Sequence, residues 1–361
     1  MKKNELSVIM QLAQHGNAEA QSQLGKIYFN GEGVPRDRQK AVEWWMKAEQ
    51  QDDGAAQVYL SMCYKEGIVV QRDLDKAATL LRKAAENDVL EAQNELGMCY
   101  ASGTGVEQDY AQAIEWWTRA ADFGFEPAQF NLGVCYEQGY GVQQDLEQAV
   151  DWFRIAAEQG HALAQYRLGN YYEYGYGVER DLQQAFAWYK QAATHGYSEA
   201  QITLGTCFAL GKGVEQDISQ AFVWWEFAAR QGHPKAHHNL GVCYERGEGV
   251  QQDFEMAVQY YNRAVELGYL KSLCNLGNLY YNGQGVEKNL DKARELWQRA
   301  VDNGIKEAQM NLDLLNKNND EQRKYNHIIN AYLKAVNDGV DMSPYTYKMK
   351  IIPNDDSKKD D

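Results

Sequence analysis

Residues 126–161 read EPAQFNLGVCYEQGYGVQQDLEQAVDWFRIAAEQGH, and nearly every feature of that stretch returns at a spacing of 36. Its Leu132-Gly133 comes back as Leu24-Gly25, Leu96-Gly97, Leu168-Gly169, Leu204-Gly205, Leu240-Gly241 and Leu276-Gly277. Ala128, Leu132, Cys135 and Tyr136 lie at i, i+4, i+7 and i+8, one stripe of an amphipathic helix, here helix A. Pro127 suits its first turn, and Gly139-Tyr140-Gly141 ends it by supplying two residues free to take positive φ. Asp145 then offers the short acceptor of an N-cap, with Gln148 three residues on as a partial capping box. Helix B follows, burying Ala149, Trp152, Phe153, Ala156 and Ala157, and stops at Gly160. A unit this short cannot bury its own apolar face, so the copies must stack and share one core.

Sliding the pattern along the chain places helix A near 20–30 and helix B near 37–50, then a pair every 36 residues to a last helix B near 289–303. The capping residue recurs as Asp37, Asp73, Asp109, Asp181, Asp217, Asp253 and Asn289. The aromatic pair recurs as Trp44-Trp45, Trp116-Trp117, Trp188-Tyr189, Trp224-Trp225 and Tyr260-Tyr261. Neighbours on a helix point about 100 degrees apart, so one ring fills its own repeat while the other reaches an adjacent one. These rings are expected to be the main cement of an all-α solenoid of antiparallel helix pairs. The predicted solenoid spans 1–315, eight full pairs with flanking half repeats. Asn316 to Asp320 breaks the pattern, a capping helix is expected within 316–341, and 342–361 reads as a disordered tail rich in Lys and Asp.

Taken together, Ala-x3-Leu-Gly-x2-Tyr-x2-Gly-x-Gly-Val-x2-Asp-x3-Ala-x2-Trp-Trp/Tyr resembles the Sel1-like repeat, a relative of the tetratricopeptide repeat, over roughly residues 5–315. The resemblance implies a right-handed superhelix whose concave face, lined largely by helix A, holds a protein or peptide. It also implies a noncatalytic adaptor role, with an immunity protein that wraps a toxic effector as the sharper version. In the secreted, cysteine-rich branch of the family, to which hydrolytic or β-lactam-binding activity is attached, a disulfide bridges helices A and B. Here helix B holds no cysteine, which weighs against that alternative.

Composition narrows the partner. A net charge of -15 repels phosphate backbones and anionic lipid, so a protein with a basic segment is expected and nucleic acid or membrane is not. No apolar run approaches the roughly 18 residues of a bilayer span. Met1-Lys2-Lys3 followed by Leu6, Val8, Ile9, Met10 and Leu12 has the outline of a secretory signal. The repeat register explains that run as a helix B, so a cytoplasmic location is expected.

Of the six cysteines, Cys63, Cys99, Cys135, Cys207 and Cys243 share one repeat position. Equivalent sites in stacked repeats stand roughly 10 Å apart, beyond the approximate 7 Å limit for a disulfide, and read as buried thiols. His233, His237 and His238 form the one histidine cluster. Because His233 shares its turn position with His161 and Asn17, no metal is expected there, and no cofactor. The Gly-x-Gly-Val loops lack the later glycine and lysine of nucleotide-binding loops.

Partner contacts are expected where helix A varies. Its third position reads Ser22, Val58, Asn94, Phe130, Tyr166, Ile202, His238 and Cys274. Phe130 and Tyr166, with Tyr140, Arg167, Tyr174 and Tyr176, form a candidate binding patch, since Tyr and Arg dominate many interfaces. The plain alternative is that the rings seal the inner surface. The second repeat departs most: Val69 replaces a loop glycine, Leu80-Leu81 replaces the aromatic pair and Asp52-Asp53-Gly54 shifts a turn. A looser or bent junction is expected there.

Overall fold

The short acceptors recurring every 36 residues do start helices. Asp37, Asp73, Asp109, Asp145, Asp181, Asp217, Asp253 and Asn289 each accept a backbone N–H two or three residues on. The computed structural model describes residues 3–337, in which there are eighteen helices and no strand. A lone α1 (Lys3–Gln14) precedes the pairs, and the apolar run of the amino terminus lies in it. The A helices are α2 (Ala18–Asn30), α4 (Gly54–Glu66), α6 (Leu90–Ser102), α8 (Glu126–Gln138), α10 (Ala162–Tyr174) and α12 (Ser198–Leu210). Their B partners are α3 (Arg38–Glu49), α5 (Leu74–Glu86), α7 (Tyr110–Asp122), α9 (Leu146–Glu158), α11 (Leu182–Thr194) and α13 (Ile218–Arg230).

These helices form one compact unit, Met1–Gln231, and a second unit starts at Gly232. The second holds α14 (Pro234–Arg246), α15 (Phe254–Glu266), α16 (Ser272–Asn282), α17 (Leu290–Asp302) and α18 (Glu307–Asn337). No described helix is long and apolar enough to cross a membrane.

The recurring Leu-Gly is explained by how the hairpin closes. The leucine is buried, and the glycine gives the second ring of helix B a flat seat on helix A. A Cβ on Gly97 would stand 2.5 Å from Trp117 Nε1, and one on Gly133 2.6 Å from the Phe153 ring. The indole N–H, which must not be buried unpaired, donates to a carbonyl of the same A helix: Trp45 to Ser22, Trp117 to Asn94, Trp225 to Ile202 and Trp297 to Cys274. The second ring also reaches forward, as Trp45 stacks on Tyr59 at 4.8 Å and Phe153 meets Tyr171 edge-on at 5.6 Å. The first ring lies in a cluster shared by two repeats: Trp116 belongs to the one that joins Leu81 and Ala84 to Leu96 and Cys99, and Trp152 packs against the one that joins Ala113 and Ala120 to Ala128 and Leu132. The second ring therefore fills its own hairpin, as the helical phase predicts for one of the two, and it also touches the next layer.

The second repeat keeps the backbone path at the cost of strain. Asp52, Val69 and Asp88 take φ of 62, 67 and 58 degrees, the left-handed region that glycine occupies at equivalent turns. A β-branched side chain there costs roughly 1–2 kcal/mol. Elsewhere the same loop glycine lies directly on the first turn of the preceding helix B, Gly105 against Leu74 and Gly141 against Tyr110.

One column of side chains goes unread in the sequence. Gln21, Gln93, Gln129, Gln165 and Gln201 are buried on helix A, and each Nε2 donates to the carbonyl of a residue eight positions back, such as Gln165 to Ala157 at 2.8 Å. In four of the five the free oxygen takes a donor from 30 positions on: Gln51 to Gln21, Gln159 to Gln129, His195 to Gln165 and Gln231 to Gln201. Three successive helices are pinned at each of these four stations. At Gln93 the donor position holds Phe123, 71% exposed, and Gln93 Oε1 has no partner. Phe123→Gln is expected to supply that bond and raise stability by about 1 kcal/mol, read as a higher urea midpoint at unchanged slope.

At the carboxyl end the departure from the repeat pattern does not interrupt the helix. Asn316 to Asp320 lies inside α18, which runs without interruption from Glu307 to Asn337. That stretch holds neither Gly nor Pro, and Asn or Asp weakens a helix by only a few tenths of a kcal/mol relative to ordinary residues. Residues 338–341 of the expected capping segment and the expected tail at 342–361 lie outside the described residues.

Candidate functional site

The six predicted patch residues fall into three different environments. Phe130 and Tyr166, at the fifth residue of α8 and α10, are half-buried. Phe130 lies against Phe153 of its own repeat at 5.5 Å and stacks on His161 at 4.8 Å. Tyr166 repeats the arrangement with Tyr189 at 5.7 Å and Tyr197 at 5.2 Å. Each ring is thus wedged between its own helix B and the residue that caps the next helix A. Arg167 is held by an ion pair: its Nη1 donates to both carboxylate oxygens of Glu137, at 2.8 and 2.9 Å, and Glu137 also accepts from the Tyr171 hydroxyl at 2.9 Å.

The remaining three tyrosines are open to solvent. Tyr174, at the end of α10, is 59% exposed and stacks on Tyr176, 51% exposed, with ring centres 5.6 Å apart. Tyr176 meets Tyr171 edge-on. Tyr140, the equivalent of Tyr176 one repeat earlier, stacks instead on Tyr110 at 4.9 Å. Leu210 joins this exposed set at 62% and escapes the sequence reading, although it is the equivalent of Tyr174 one repeat later. Beside it, Lys212 Nζ donates to Glu173 Oε1 at 3.0 Å. Exposed apolar side chains therefore occupy the loop ends of helix A in three successive repeats, while the inner rings carry packing.

The buried titratable groups are held in their unreactive forms. Burial pushes the thiols up, Cys135 to about 11 and Cys243 to about 12, and Cys63, Cys99, Cys135, Cys207, Cys243 and Cys274 are all free. A thiol that stays protonated is a small apolar filler rather than a nucleophile. Burial, and then the hydrogen bond to Glu173, pushes the Tyr189 phenol up; its hydroxyl donates to Glu173 at 2.8 Å and lies 2.7 Å from the Asn170 side-chain amide. Tyr261 is raised in the same way, donating to Glu245.

The three histidines of the second unit face different partners. His237 places Nδ1 3.0 Å from the His233 carbonyl, whereas His238 Nδ1 lies 3.0 Å from Ser272 Oγ. The His238 ring takes the wedge place of Phe130 and Tyr166, 5.6 Å from Tyr261 and 4.9 Å from Tyr269. Burial, with Lys271 and Lys235 nearby, pulls it down to about 4. Among the described residues no group of three or more His, Cys, Asp or Glu is placed to hold a metal ion.

The turn position shared by Asn17, Asp53 and His161 is an N-cap of helix A, each side chain accepting from the N–H three residues on.

The Sel1 repeat model matches residues 18–53, 54–89, 90–124, 126–161, 162–197, 198–233, 234–269 and 270–305. No curated protein matches the chain. Among solved structures, it is similar to a protective antigen of uropathogenic Escherichia coli strains displaying an SLR fold, with 33% identity and a TM-score of 0.75 over 85% of this chain. The chain spans 66% of that protein's length, just under two thirds. It is also similar to a Sel1 repeat protein from Oxalobacter formigenes, with 29% identity and a TM-score of 0.63, over 87% of this chain and 92% of that one. An immunity protein from Pseudomonas aeruginosa shares 21% identity at a TM-score of 0.40, over 59% of this chain and 81% of that one, too distant a likeness to bear on function.

Proposed function

The chain belongs to the Sel1 repeat family, and from that premise we propose that it is a noncatalytic scaffold that binds a protein or peptide along the face built by its A helices. The observation that carries the proposal is the exposed apolar edge of Tyr140, Tyr174, Tyr176 and Leu210 on consecutive repeats. Large apolar groups clustered in solvent are unfavourable unless a partner covers them, and stacked tyrosines bury much area for little lost entropy. A net charge of -15 favours a basic segment in that partner. The narrower form is an immunity protein that neutralises a toxic effector by gripping it. In that case, co-expression would restore growth to cells producing the effector.

Tyr174→Ala with Tyr176→Ala tests the edge directly. Both residues are exposed, so stability should change by no more than about 0.5 kcal/mol, while retention of the captured partner from native lysate falls by at least about tenfold. Equal retention by wild type and double variant would remove this edge from the interface. Turnover in a hydrolase screen, abolished by a point substitution, would overturn the scaffold reading itself.

A further inference from the structure

Seven of the eight hairpins close with a large ring of helix B seated on a glycine of helix A; the hairpin of residues 54–89 has neither. Ser61 stands in the glycine's place and Leu81 in the ring's. Ser61 Oγ donates to the Val58 carbonyl at 2.7 Å, the very acceptor that an indole N–H would use by analogy with Trp117 and Asn94. The wedge position is also small, Val58 where α8 and α10 carry Phe130 and Tyr166. With these rings missing, a cleft of about 530 Å³ opens among α4, α5 and α6, lined by Val58, Ser61, Met62 and Leu81 and extending to Phe125 and Pro127. Its volume is that of a ligand-binding pocket, about 300–1,000 Å³. Glu66, Glu91 and Glu95 stand at it against one cation, Lys65.

We propose that this cleft is the specificity pocket of the chain, taking one or two large apolar side chains of a partner peptide in which they are flanked by lysine or arginine. The assignment rests on the binding reading above and adds to it the residues that select the partner. The exposed tyrosine edge supplies area to any apolar surface. A walled cleft with carboxylates beside an apolar floor discriminates, because it rewards a bulky anchor and penalises acidic neighbours.

Ser61→Gly with Leu81→Trp plugs the cleft with the fold's own parts: the indole gains a glycine seat and the Val58 carbonyl. Random dodecapeptides displayed on phage are panned on the full wild-type chain, and the recovered peptides are then measured on the variants. The expected peptides carry a large apolar residue within two positions of Lys or Arg and bind the plugged variant at least about tenfold more weakly, while that variant melts no lower than wild type. If it melts lower, Glu91→Lys with Glu95→Lys decides the matter, since affinity for the basic peptides must then fall. Undiminished binding to the plugged variant, or to the charge-reversed one, would make the cleft a packing gap only. Peptides that ignore the plug but are lost on Tyr174→Ala with Tyr176→Ala would sink the pocket and leave the scaffold standing. Recovery of no binding peptide at all would sink both.

Discussion

Alanine at Gly213 is expected to cost about 2 to 5 kcal/mol, the sum of a left-handed backbone penalty and an overpacked contact. The residue has φ of 69 degrees, and a Cβ there would collide with the carbonyl oxygen of Leu182 in the first turn of α11. Neither side can yield, because backbone meets backbone and the helix start is already fixed by the cap at Asp181. Gly196 provides the control. Its φ is 86 degrees, yet a Cβ would meet nothing within 4 Å, so Gly196→Ala should lose only about 1 kcal/mol. Urea midpoints of the two variants at matched slope separate the terms. Equal losses would mean that the loop is not clamped on the preceding repeat.

The second large effect is at the ring seat. Trp117→Ala removes a ring that is 3% exposed together with its bond to the Asn94 carbonyl at 3.1 Å, and should cost about 3 to 5 kcal/mol. Gly97→Ala alone should cost roughly 1 to 3 kcal/mol, since its methyl would stand 2.5 to 2.8 Å from indole atoms. In the Trp117→Ala background the same methyl enters vacated space. The pair should therefore be less harmful than the two losses added, with a coupling of at least about 1 kcal/mol. A double-mutant cycle that closes additively would refute the seat as the reason for the recurring Leu-Gly.

Helix ends and the hairpin order were legible because they follow from local rules repeated at a fixed period: Asp145 caps, Gly139 terminates, and Leu132 with Phe153 marks the buried side. The glutamine column was no less periodic, from Gln21 to Gln201, yet a polar side chain in a helix reads as solvated until its partners from two other helices are in view. The continuity of α18 through Asn316 to Asp320 was not legible, because a run of weak formers ends the repeat pattern without supplying a Gly or Pro to end the helix. Helical phase put Phe130 and Tyr166 on helix A, but their wedging by His161 and Tyr197 depends on the start of the following repeat. Exposure at Tyr174 and Leu210 likewise depends on where neighbouring layers stop, which a one-dimensional pattern does not contain.

Among the described residues the side-chain bonds that join layers run between adjacent copies, as Arg167 to Glu137 and Lys212 to Glu173 do. Gene-level exchange that removes or duplicates one block of 36 codons would thus return the shared caps and most ring seats to equivalent neighbours. Such a chain can lengthen or shorten in whole steps while remaining foldable at each, so its reach can be adjusted without redesigning its interior.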